Sequence, residues 1–100
     1  MSPDKKNIIV VKLGSSTVVD PSGVVRESYL RALAQEIARI REQGWHHILV
    51  SSGAIACGYP LMGLDVKPRD IPSLQAAASV GQGVLSRVYS ESFGAEGVLT

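Results

Sequence analysis

A β-branched apolar run, Ile8-Ile9-Val10-Val11, passes through Lys12 and Leu13 and stops at Gly14-Ser15-Ser16. The pattern recurs where Trp45 to Ser51, with Ile48, Leu49 and Val50 at its centre, gives way to Ser52-Gly53. Each run is short and continuous enough for a strand buried on both faces, as in a parallel sheet. Between them Leu30, Leu33, Ile37 and Ile40 recur at three- and four-residue steps, the spacing of one helical face, and Gly44 fits its C-terminal cap. A strand, a helix and a second strand in that order call for a right-handed crossover and a parallel pair.

The rest of the chain extends the alternation. Asp20-Pro21-Ser22-Gly23 is turn chemistry ahead of the first helix. Ala54 to Gly58 opens a short helix, and Tyr59 to Pro72, with three prolines and Gly63, reads as a surface loop. From about Ile71 to Phe93 a second main helix is expected, with Leu74, Ala78, Gly81, Leu85, Val88 and Ser92 on one stripe and weakened by Gly81 and Gly83. Val98-Leu99-Thr100 looks like the opening of a third strand. The expected fold is α/β, a parallel sheet with helices on both faces, present as an incomplete βαβαβ portion in one domain over residues 1–100.

Composition narrows the function. With 45% hydrophobic residues in 100, the chain can build one core, and a formal net charge of +1 without a basic run gives no argument for nucleic acid or an anionic membrane. No apolar run approaches the roughly 20 residues that cross a bilayer, and the polar stretch Met1 to Asn7 is unlike a signal peptide. Cys57 has no second cysteine to pair with, which excludes an intrachain disulfide and suits a reducing compartment, so the cytoplasm is the expected location.

In parallel sheets ligands collect at the carboxyl ends of strands, which is where Lys12-Leu13-Gly14 and Ser51-Ser52-Gly53 fall. Lys12 beside a glycine can hold a phosphate, and it can equally be a strand-end lysine with its stem packed and its ammonium in water. Ser15 and Ser16 can donate to phosphate oxygens or serve as turn serines. Ser52-Gly53 ahead of a helix can cap that helix or admit a carboxylate, and the two roles are compatible. Cys57, among Ala54, Ile55 and Ala56, reads as a buried structural thiol. His46 and His47 point to opposite faces of a strand and make a poor metal pair, so no metal ligand is assigned. Gly81-Gln82-Gly83 lacks the third glycine of a dinucleotide fingerprint and falls inside a helix, and no Walker-type run occurs.

Three blocks, Val10 to Ser16, Leu49 to Gly58 and Gln75 to Gln82, together with Tyr89 and Phe93, resemble the glutamate 5-kinase branch of the amino acid kinase superfamily in order and spacing. Leu74 departs from the lysine that branch often has before its Gln-Ala run. The resemblance implies ATP and glutamate as substrates, Mg2+ accompanying the ATP, and homo-oligomeric assembly of the full-length enzyme. By residue it implies that Lys12 contacts the ATP phosphates and acts in catalysis, that Gly14 and Ser15 form the phosphate-facing loop, and that Ser52 with Gly53 binds glutamate. It covers the first part of a kinase domain, without the later residues that build the adenine pocket, so the 100-residue chain alone is expected to be inactive. Two other readings are another superfamily member with a different acceptor, and a non-catalytic binding module that keeps the anion-binding half-site.

Overall fold

The computed structural model describes residues 7–98. Six elements follow one another: β1 (Asn7–Leu13), α1 (Ser15–Val18), α2 (Glu27–Glu42), β2 (Trp45–Ser51), α3 (Ala54–Leu61) and α4 (Ile71–Gly94). β1 and β2 pair in parallel, from Asn7 opposite Trp45 to Leu13 opposite Ser51. That register brings both strands to their carboxyl ends at the same level, with Gly14 and Ser52 as the next residues out.

α2 forms the crossover. Glu27 in its first turn and Arg39 and Arg41 in its last complement the helix dipole, and Gly44 follows in the left-handed conformation, φ 92°, that the chain needs to turn back into β2. Its inner face buries Leu30 and Ile37 as expected, joined by Ala34, while Leu33 and Ile40 are half-buried and Leu33 packs at the margin. α4 starts on a well-formed cap: the Asp70 carboxylate accepts from the Ser73 amide at 3.0 Å, with Pro72 in the first turn. These hydrogen bonds, the Ser73 side chain foremost, hold the Asp70 carboxyl below its ordinary value. Gly81, Leu85, Val88 and Ser92 form the buried stripe as expected, joined by Ala77 rather than Ala78.

The core lies between the helices and one face of the sheet. Leu13, Val18, Val19, Leu30, Cys57, Leu85 and Val88 make one cluster, and Ala34, Ile37, Phe93 and Val98 a second, with Val11 and Leu49 of the sheet touching both. The opposite face is bare: Ile8, Val10, Ile48 and Val50 are 45–58% exposed. This corrects the expectation of strands buried on both faces with Ile48 and Val50 at a buried centre. Apolar runs record what a sheet can bury, whereas burial itself needs a second layer, and among the described residues α2 and α4 both pack on the face of Val11 and Leu49.

A second correction concerns α3, which continues past Gly58 to Leu61 with Pro60 in its last turn, so that the loop before α4 is 62–70 rather than Tyr59 to Pro72. Proline there withholds the amide that would bond to the Ala56 carbonyl, the helix ends one residue later, and the ring lies beside the turn at Gly23. The third strand expected at Val98-Leu99-Thr100 falls largely outside the described residues. Val98 itself is buried, and its amide donates to the Phe93 carbonyl at 2.9 Å.

Candidate functional site

The carboxyl ends of β1 and β2 are tied directly. The Ser52 amide donates to the Leu13 carbonyl at 3.0 Å, one bond beyond the last pair of the ladder. From that junction the two chains diverge into helices: Gly14 is the residue before α1 and Gly53 the residue before α3. Neither glycine has a side chain with which to cap, so the amides of the first turns have no capping acceptor there. α3 therefore presents the positive end of its dipole toward the strand junction.

The two glycines differ in what requires them. Gly53 sits at φ 112°, a left-handed conformation, and a Cβ there would meet Val19 Cγ2 at 3.0 Å. The fold itself demands glycine at that position. Gly14 has ordinary extended dihedrals, φ −72° and ψ 163°, and open space where a Cβ would stand. Among the described residues nothing in the packing or the backbone requires glycine at that position.

A cavity of about 500 Å³ opens beside the junction, walled by Ser15, Gly53, Ala54, Ile55, Ala56, Tyr59, Lys67 and Ala78. A smaller one of about 260 Å³ shares Ser15, Ala56 and Tyr59 and reaches Asp20 and Arg26. Of the candidates, Ser15 and Gly53 thus face one space. Lys12 and Ser52 do not line it: Lys12, exposed, is the penultimate residue of β1 opposite Val50, and Ser52 lies exposed at the elbow before Gly53. The turn below the smaller cavity is fixed by Asp20, whose carboxylate accepts from the Ser22 hydroxyl and amide and the Val24 amide. Those bonds, the Ser22 side chain first, hold the Asp20 carboxyl below its ordinary value. Arg26 is tied to the same region through its Nε, which donates to the Ser16 carbonyl at 3.3 Å.

The two serines of β2's end are not equivalent. Ser51 Oγ accepts from the Tyr89 hydroxyl at 2.6 Å and donates to the Ser52 carbonyl at 3.1 Å, while the Ser52 hydroxyl makes no hydrogen bond among the described residues. Ser52 is therefore the serine free to meet a ligand. Cys57 is buried in the core, and burial pushes its thiol pKa up, consistent with a structural thiol. Lys67 and Tyr59 were not singled out from the sequence, and Tyr89 was named there only as part of the resemblance, without its contact to Ser51. Lys67 arrives from the 62–70 loop, Tyr59 sits where a helix was not foreseen, and Tyr89 meets Ser51 across 38 positions of sequence. No local pattern announces that these three side chains approach the strand ends. The described residues include no group of three His, Cys, Asp or Glu side chains placed to hold a metal ion, and no described helix is long and apolar enough to cross a membrane.

Comparison with known proteins gives a consistent result. A family model described as "Amino acid kinase family" matches residues 7–100. The chain is 48% identical over 90 residues to a protein named glutamate 5-kinase from Bifidobacterium longum subsp. infantis, covering 90% of this chain and 24% of that protein. It is 41% identical over 98 residues to glutamate 5-kinase 2 of Bacillus subtilis, covering 97% and 26%. A glutamate 5-kinase of Clostridium tetani is 44% identical over 90 residues, covering 90% and 33%. The chain spans about a quarter to a third of the length of these relatives.

Proposed function

The chain belongs to the amino acid kinase family, and from that premise we propose that the protein carrying it phosphorylates the γ-carboxylate of glutamate with ATP, giving glutamyl 5-phosphate and ADP, the first step of proline biosynthesis. Residues 1–100 then make up the N-terminal part of the kinase domain. Lys12, Gly14 and Ser15 serve the phosphates, and Ser52 and Gly53 serve glutamate. The relatives' names support the choice of acceptor.

The observation that carries the reading is the Ser52 amide on the Leu13 carbonyl, which binds the two candidate half-sites into one edge, with Ser15 and Gly53 facing a common cavity. The chemistry asks little of the protein beyond such an edge. A carboxylate oxygen attacks the γ-phosphorus as the bond to ADP breaks, and no strong base is needed because the nucleophile is already ionised. Acceleration comes from alignment and from charge stabilisation on the transferring group. Lys12 supplies a cation for that charge, and Gly14 lets the backbone come close. The uncapped first turn of α3 attracts an anionic group of the acceptor beside Ser52.

Magnesium enters this proposal as the companion of ATP. An ion of that kind is held mainly by substrate phosphates and water. Homo-oligomeric assembly and a cytoplasmic location belong to the same proposal, the latter supported by the lone buried Cys57.

The test is turnover by the complete protein that carries these residues, offered glutamate, aspartate, N-acetylglutamate and uridylate with ATP. Preference for glutamate is expected, and preference for any of the others would overturn the choice of acceptor.

A further inference from the structure

We infer that Tyr89 is a positioning residue for the acceptor, its hydroxyl acting through Ser51 to set the Ser52–Gly53 peptide against the end of β1. The inference rests on the glutamate kinase reading above and goes beyond it by naming what orients the glutamate half-site.

Three hydrogen bonds in series carry it. The Tyr89 hydroxyl donates to Ser51 Oγ at 2.6 Å, Ser51 Oγ donates to the Ser52 carbonyl at 3.1 Å, and the Ser52 amide donates to the Leu13 carbonyl at 3.0 Å. A serine hydroxyl has one proton, so a donor from Tyr89 leaves Ser51 Oγ with its own proton aimed at the Ser52 carbonyl. Both backbone polar groups of Ser52 are then held, the carbonyl by the Ser51 hydroxyl with Tyr89 of α4 behind it and the amide by the Leu13 carbonyl of β1. The Ser52 carbonyl belongs to the peptide that enters Gly53, where φ is 112°, and Gly53 in turn leads into the first turn of α3. Because glycine is the most permissive residue, the orientation of that peptide needs an external anchor. Tyr89 supplies it from a helix that is itself well held: its ring tilts against Phe93 at 6.2 Å, and Phe93 stacks on His47 of β2 at 5.9 Å. Burial pushes the Tyr89 pKa up, so the hydroxyl keeps the proton it donates.

Removing only the hydroxyl separates this role from packing. In the complete protein, Tyr89→Phe keeps the ring against Phe93 and frees Ser51 Oγ to turn away. The KM for glutamate is expected to rise roughly three- to tenfold, the size of one hydrogen bond's net contribution, with the KM for ATP unchanged and the melting temperature lowered by no more than about 2–4 °C. Ser51→Ala should give the same shift, Ser51→Thr should stay near wild type, and the Tyr89→Phe/Ser51→Ala double variant should be no worse than either single one. An unchanged glutamate KM in both single variants overturns the inference while leaving the functional reading intact. So does an ATP KM raised as much as the glutamate KM together with a fall of about 10 °C or more in melting temperature, which marks a purely structural tie. A wild-type protein with no turnover on glutamate overturns the functional reading and this inference with it.

Discussion

Gly58 of α3 lies against Gly81 of α4 so closely that a Cβ on Gly58 would stand 2.9 Å from the Gly81 amide nitrogen and 1.8 Å from the Ala77 carbonyl oxygen. In the reverse direction, a Cβ on Gly81 would stand 1.7 Å from the Ala54 carbonyl oxygen. The two helices thus touch backbone to backbone. Ala54 is the first residue of α3 and, with Gly53, part of the cavity wall, so this contact places one side of the candidate site.

Two glycines of α4 with a single residue between them should therefore respond with opposite sign. Gly81→Ala must push α3 and α4 apart and is expected to cost about 3 kcal/mol, the upper part of the range for overpacking. Gly83 has nothing within 4 Å of its Cβ position and is exposed. Gly83→Ala should stabilise the protein by about 0.5–1 kcal/mol, because alanine holds a helix better than glycine. Urea denaturation of the two variants checks both, and equal effects would contradict the packing described.

Gly14→Ala should leave the fold alone and damage the chemistry. With φ −72° and free space at the Cβ position, the change in stability should stay within about 0.5 kcal/mol. Turnover should nevertheless fall roughly ten- to a hundredfold, since a methyl group would stand where a phosphate approaches. Thermal denaturation and a kinase assay on the same preparation give the comparison.

His47 makes stability depend on pH in a definite direction. Its Nδ1 is buried without a hydrogen-bond partner, and its ring stacks on Phe93. Burial first, then the nearby Arg41 and His46, holds its pKa below the ordinary 6.5. Between those two values the unfolded chain binds the proton and the folded chain does not. The contribution is thus fully present above pH 6.5 and is lost as pH falls through the folded value. The melting temperature should fall more steeply between about pH 7 and pH 5 for the wild type than for His47→Phe. Parallel curves would contradict this.

Much of the fold was legible because its signals are local. Trp45 to Ser51 reads as a strand from its apolar centre Ile48-Leu49-Val50 and the small residues that follow, and Leu85, Val88 and Ser92 mark one stripe of α4 by their spacing. What was not legible depends on neighbours distant in sequence. Pro60 reads as a helix breaker until Gly23 is seen against its ring, and Gly81 reads as a weakness until Ala54 is seen against its backbone. The apolar pattern of Ile8, Val10, Ile48 and Val50 could not reveal that α2 and α4 share one face. For the site, the small-residue ends of both strands were visible, and the bond joining them was not. Lys67 and Tyr89 come from elements whose approach to that edge only tertiary structure determines.

The central claim is that the ends of β1 and β2 are two halves of one site with separate duties, and steady-state kinetics of Lys12→Ala and Ser52→Ala in the complete protein test it most directly. Lys12→Ala should lower kcat roughly a hundredfold or more, as expected when a charge that stabilises the transferring group is removed, while the glutamate KM stays near wild type. Ser52→Ala should raise the glutamate KM roughly tenfold and leave the ATP KM unchanged. If both variants alter only the ATP KM, to the same extent and with glutamate unaffected, the two strand ends do not divide the substrates between them and the account is wrong.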